Sequence, residues 1–143
     1  MNAPVPTIGD LFPHSKRATV PFDVAIGQDF DTVRLPEQAA RQILRLCAHI
    51  RPHPVGAAIA HGDDWVLILP PRSGYGVRWP WPVNHFEAGT LSVPPLSAGP
   101  DRAPYWVRRG NDDGRVFTAP LHLHAVLPLL ASAPRRTHHS RTG

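Results

Sequence analysis

The chain has 143 residues and a formal net charge of +4, with 18 prolines and 11 glycines. A chain of this length holds one domain and buries enough surface to fold without disulfides or metal. Proline at this density excludes a helical bundle and favours short strands with rigid connections. Ile, Leu, Val and Phe make up about a quarter of the residues, above the level of disordered chains.

Residues 1–19 hold Pro4, Pro6 and Pro13 and no apolar period, which predicts an irregular arm. A strand is expected within Val20–Ile26, closed by Gly27. A second runs from Phe30 to Leu35, rich in strand formers and stopped by Pro36. The clearest helix spans 36–51: Pro36 suits its first position, Glu37 its first turn, and Ala40, Ile43, Leu44, Cys47 and Ile50 share one face. Pro52 and Pro54 end it.

Val55–Ala60 and Trp65–Leu69 read as a hairpin around His61-Gly-Asp-Asp64, the second strand apolar on both faces and therefore central. Arg72–Pro82 is a loop containing Trp79-Pro-Trp-Pro82. Gly89–Val93 is a short strand. Tyr105–Arg108 and Arg115–Thr118 suggest another hairpin around Asn111-Asp-Asp-Gly114. Leu121–Ala131 suggests a short C-terminal helix interrupted by Pro128, and 133–143 reads as a disordered basic tail. The sum is an α+β domain over residues 20–132, with a small, mostly antiparallel sheet.

Lys16 is the sole lysine, so the positive charge is arginine. Arg135, Arg136 and Arg141 lie in the tail and carry most of the excess. The basic balance therefore describes the tail more than the domain. The longest apolar run, Trp65–Leu69, is far too short for a membrane span. No signal-peptide pattern opens the chain, and Cys47 is single and falls on the apolar helix face. These features predict a cytoplasmic protein with a buried, inert thiol and no membrane partner.

From residue 30 to 130 an ordered set of segments stands out: Phe30-Asp-Thr-Val-Arg-Leu-Pro36, the helix, Pro54-Val-Gly56, Trp65-Val-Leu-Ile-Leu-Pro-Pro71, Gly89-Thr-Leu-Ser-Val-Pro-Pro95, Tyr105-Trp-Val-Arg108 and Leu127-Pro128. This order resembles short relatives of the N-terminal domain of bifunctional DNA primase/polymerases, of the archaeo-eukaryotic primase type. The resemblance implies an α+β fold. Active members carry an acidic pair near the end of the strand before the helix, which holds divalent metals for nucleotidyl transfer. The matching positions here are Arg34 and Pro36. The family's phosphate-binding histidine in the strand after the hairpin turn also has no counterpart in Trp65–Leu69. The resemblance thus implies a degenerate active site and no bound cofactor.

Asp29-x-Asp31 is the one Asp-x-Asp of the chain. On a strand both carboxylates face one way, which makes Asp29 and Asp31 weak metal candidates, although a solvated strand entry explains them as well. Asp63-Asp64 and Asp112-Asp113 flank turn glycines. His122-x-His124 together with His85 is the nearest approach to a zinc set, without a cysteine partner. There is no glycine-rich phosphate loop and no nucleophile elbow.

The loop residues Arg72, Tyr75, Arg78, Trp79 and Trp81 are the candidates for nucleic-acid or partner binding. Aromatic rings beside arginines stack bases and hold phosphates, and the same residue types anchor protein interfaces. A plainer reading has the Trp-Pro pairs capping the core. The function expected first is a non-catalytic primase/polymerase-like domain, accessory or regulatory, acting through DNA or a protein partner. The alternatives are a protein-interaction module built on the Trp/Pro-rich loop and unrelated to nucleic acid, and an active nucleotidyltransferase using Asp29 and Asp31.

Overall fold

The structure, a computed structural model, describes residues 6–73, 78–80 and 82–130. In chain order it contains α1 (Ile8–Leu11), a 3-10 turn (Pro13–Lys16), β1 (Phe22–Ala25), β2 (Asp31–Pro36), α2 (Glu37–Leu46), β3 (Ala58–His61), β4 (Asp64–Leu69), β5 (Asn84–Phe86), β6 (Thr90–Val93), β7 (Tyr105–Arg108), α3 (Pro120–Val126) and a second 3-10 turn (Leu127–Leu130). Five strands form an antiparallel sheet in the order β5-β2-β4-β3-β7. β1 and β6 pair separately as an antiparallel ribbon. The protein has an α+β fold. No helix among the described residues is long and apolar enough to cross a membrane.

Strand alternation divides the core into two layers. On one face of the sheet Val33, Leu35, Trp65, Leu67 and Leu69 pack with Ala39, Ala40, Ile43 and Cys47 of the α2 region and with Leu123, Leu127 and Leu130. On the other face Ile59, Val66 and Ile68 pack with Ile8, Phe12 and Phe30, and with Leu91 and Val93 of the ribbon. β4 lies between β2 and β3 and is buried on both faces over Trp65–Leu69, the expected consequence of its unbroken apolar run.

Pro36 stands at the N-cap of α2, and the Glu37 amide donates to the Asp63 carbonyl at 3.0 Å. Glu37 and Arg41 pair at 2.7 Å, and the Arg41 guanidinium lies 5.0 Å from the centroid of the Trp65 ring. The helix ends at Leu46, short of the expected 51. The chain must turn before Pro52 and Pro54, and Arg51 covers the loosened carbonyls of Ala48 and Ile50, donating to each at 2.9 Å.

Two further expectations need correction. The arm 1–19 is not irregular over its described part. Thr7 and Asp10 form a capping box on α1, and Ile8 and Phe12 are buried in the second core. Ser15 Oγ donates to the Pro94 carbonyl at 2.7 Å, and Trp106 Nε1 donates to the same oxygen at 3.0 Å, so one buried acceptor ties arm, ribbon and sheet together.

The expected hairpin of 105–108 with 115–118 has its turn but not its pairing. Phe117 bridges Ile68 in parallel, the Thr118 amide donates to the Ile68 carbonyl, and the Ala57 amide donates to the Val116 carbonyl. The second arm thus wedges between the end of β4 and the chain entering β3, where both offered unpaired backbone groups. β5 has no counterpart in the sequence reading, since its three residues, without branching at Cβ, leave no strand signal. The strand expected within 20–26 is present as β1, and the hairpin forms, with β3 beginning at Ala58 rather than Val55.

Candidate functional site

The most confined polar cluster forms beneath the loop after β4. Asp31 is the first residue of β2, with no exposed surface. Its Oδ2 accepts from the Ser73 amide at 3.0 Å and from His85 Nε2 at 3.0 Å. Pairing of β5 with β2 sets His85 opposite Val33 and so delivers the imidazole to the carboxylate. Trp79 lies nearly parallel to the His85 ring at 6.0 Å, and the His124 ring meets Trp79 edge-on at 5.4 Å. His124 Nε2 donates to the Arg78 carbonyl at 3.0 Å. Asp31 Oδ1 and Trp79 Nε1 are both buried without a hydrogen-bond partner among the described residues.

With Nε2 donating to Asp31, Nδ1 is the ring nitrogen of His85 left for a further partner. The Ser73 hydroxyl is donated to the Pro70 carbonyl rather than to His85, so the three residues do not form a relay that activates a nucleophile.

Arg72 and Arg78 are exposed at the rim of this cluster, Arg72 in the left-handed region at φ 63°. Trp79 is half-buried and packs against the helix-side core, so its ring is engaged by the protein itself. Its role as a core cap is thereby accounted for. Tyr75 and Trp81 lie outside the described residues, as does the tail 133–143.

The structure does not bring Asp29 and Asp31 to one ligand. β2 begins only at Asp31, and Asp29 sits exposed in the bend before it, so the same-face argument fails. Among the described residues no three His, Cys, Asp or Glu side chains converge to hold a metal ion. His85 and His124 meet at Trp79, whereas His122 lines a different cleft.

Arg34 is fixed across the hairpin. Its Nε donates to Asp64 Oδ2 at 3.0 Å and a terminal nitrogen donates to His61 Nδ1 at 2.9 Å. Pro36 lies opposite Asp64 in the β2–β4 ladder.

A second polar cluster escaped the sequence reading because its members are spread from Arg51 to Asp112, about sixty positions apart. Past the end of α2, His53 faces Arg51, Arg108, Asn111 and Asp112. His53 Nδ1 accepts from the Val55 amide at 3.1 Å, and the His53 amide donates to Asp112 Oδ1 at 2.9 Å. Asn111 Nδ2 donates to the His53 carbonyl at 2.9 Å, and Arg108 donates to the carbonyls of Val55 and Gly56.

Burial, and then the Arg108 charge, lower the His53 pKa. Arg51 acts in the same direction, while the Leu44 carbonyl and Asp112 oppose it. The His53 amide, the first cause, holds the Asp112 carboxyl below its ordinary value. Desolvation raises the pKa of the buried Cys47 thiol, which keeps it protonated and unreactive.

No family model, no curated protein and no solved structure matches the chain.

Proposed function

We propose that the chain is a primase/polymerase-like domain that carries out no nucleotidyl transfer and serves as an accessory or regulatory module through nucleic acid. The observation that carries this reading is Arg34. It stands at a position where the resemblance expects a metal-binding acid, and its guanidinium is held by Asp64 and His61. Nucleotidyl transfer needs oxygen-ligated divalent metals that clamp the attacking and leaving oxygens. A fixed guanidinium supplies no ligand and repels the ions. The exposed Arg72 and Arg78 offer phosphate contacts instead. With Trp79 packed inward, binding rests on charge rather than on stacking by that ring.

Primer extension tests the non-catalytic part. With a primed template, nucleoside triphosphates and Mg2+ or Mn2+, no incorporation is expected. Metal-dependent extension by the purified chain would overturn the reading. The accessory part predicts salt-dependent DNA binding that weakens in Arg72→Gln and Arg78→Gln, each lowering the salt slope by about one. A slope unchanged in both variants would remove these arginines from the interface.

A further inference from the structure

We infer that the cleft between the end of α2 and the start of α3 is a binding site for a phosphate monoester, with Arg51 and Arg115 holding the phosphate and Phe117, Pro54 and Pro120 covering the uncharged remainder. This inference is independent of the primase-like reading. The cleft encloses about 440 Å³, within the range of small-molecule pockets. Its walls are mostly proline, Ile50 and Phe117, and its polar groups are Arg51, His53, Asn111, Arg115, Thr118 and His122. Among the described residues no Asp or Glu lines it. Asp112 stands beside the cleft, with an oxygen 3.8 Å from Arg51 Nε.

Three observations point to an oxyanion. Arg115 Nε is withdrawn from solvent and has no acceptor among the described residues, a state that costs desolvation energy until an acceptor arrives. A guanidinium presents its nitrogens as a planar fork, which suits tetrahedral oxyanions. Two guanidiniums in one cleft also match the charge of a phosphate monoester, about −1.5 to −2 at neutral pH, better than a single carboxylate. Burial first, and then the charges of Arg108 and Arg51, lower the His53 pKa, and a bound dianion would oppose the charge part of that shift. The apolar walls give the rest of the ligand a surface on which to leave water.

The test is an NMR titration of the full-length, 15N-labelled protein at pH 7. It follows the arginine Nε–H and histidine ring signals against inorganic phosphate and phenyl phosphate, with sodium chloride at matched ionic strength as reference. Saturable shifts at Arg115 and His53 are expected with both phosphates. Phenyl phosphate should bind about tenfold tighter, because its ring covers apolar wall. Arg115→Gln should weaken binding about tenfold or more.

Among the described residues the Arg115 side chain makes no hydrogen bond that its replacement would remove. Arg51→Gln, at a mostly exposed side chain, gives a second variant in case the first fails to fold. A single-stranded oligonucleotide with a 5′-phosphate, compared with its 5′-hydroxyl form, identifies the source. Preference for the phosphorylated end assigns the site to a strand terminus, and no preference assigns it to a small molecule. Shifts that chloride reproduces, or that survive in both variants, would overturn the inference.

Discussion

At Asp31 a carboxylate is taken fully out of water and given two donors on one oxygen. Removing it leaves His85 Nε2 and the Ser73 amide facing a void. Asp31→Ala is therefore expected to cost about 3 kcal/mol in urea unfolding, and Asp31→Asn distinctly less, because the amide oxygen still accepts. Equal losses in the two variants would show that the acceptor does not matter. His53 makes a second prediction. Its folded pKa lies below the ordinary 6.5, so the unfolded chain binds the proton more readily. This contribution is fully present above pH 6.5 and is lost as pH falls from 6.5 through the lowered folded value. His53→Gln should therefore flatten the fall of Tm with acidification below pH 6.5, measured against the unsubstituted chain. An unchanged slope would contradict the assignment. Of these residues, the sequence singled out Asp31 as half of a pair with Asp29, a weak metal candidate or a solvated strand entry, and gave no sign of its burial. Arg115 read only as part of a solvated turn with a basic edge, and His53 carried no signal because its partners Arg108, Asn111 and Asp112 are distant in sequence.

The elements show where periodicity is informative and where it fails. The stripe of α2 and the doubly apolar β4 were legible because burial itself writes their periods: one face of a helix, or both faces of a central strand. β5 and the 116–118 segment were not, because three residues carry no period and their partners are distant in sequence. Gly56 is the hinge of that second arrangement. A Cβ there would press into the backbone carbonyls of Val116 and Phe117, well inside contact distance, where nothing flexible can yield. Gly62 in the β3–β4 turn has open space around it but a φ of +66°. Gly56→Ala should cost about 3 kcal/mol or more, and Gly62→Ala about 1 kcal/mol, in urea unfolding. The reverse order would mean that the 116–118 segment does not lie against Gly56.

Across the whole molecule, the α+β architecture was legible from proline density, one amphipathic helix and short strand runs. The division into a five-stranded sheet with a core on each face was not, since it depends on which strands pair. Charge belongs to this scale as well. Residues 1–132 are nearly balanced, with three further arginines beyond them, so a bare affinity for DNA would not tell domain from tail. The proposal that the folded domain engages nucleic acid without catalysis rests on Arg34, at a position where the resemblance expects a metal-binding acid, and on the exposed Arg72 and Arg78. The most direct measurement is fluorescence anisotropy of labelled single- and double-stranded DNA over a salt series, comparing the full-length protein with a chain ending at Ser132. Binding that persists in the shortened chain, weakens with salt and falls further in Arg72→Gln/Arg78→Gln is the predicted result. No binding at moderate salt, or binding lost entirely with the last eleven residues, would contradict it.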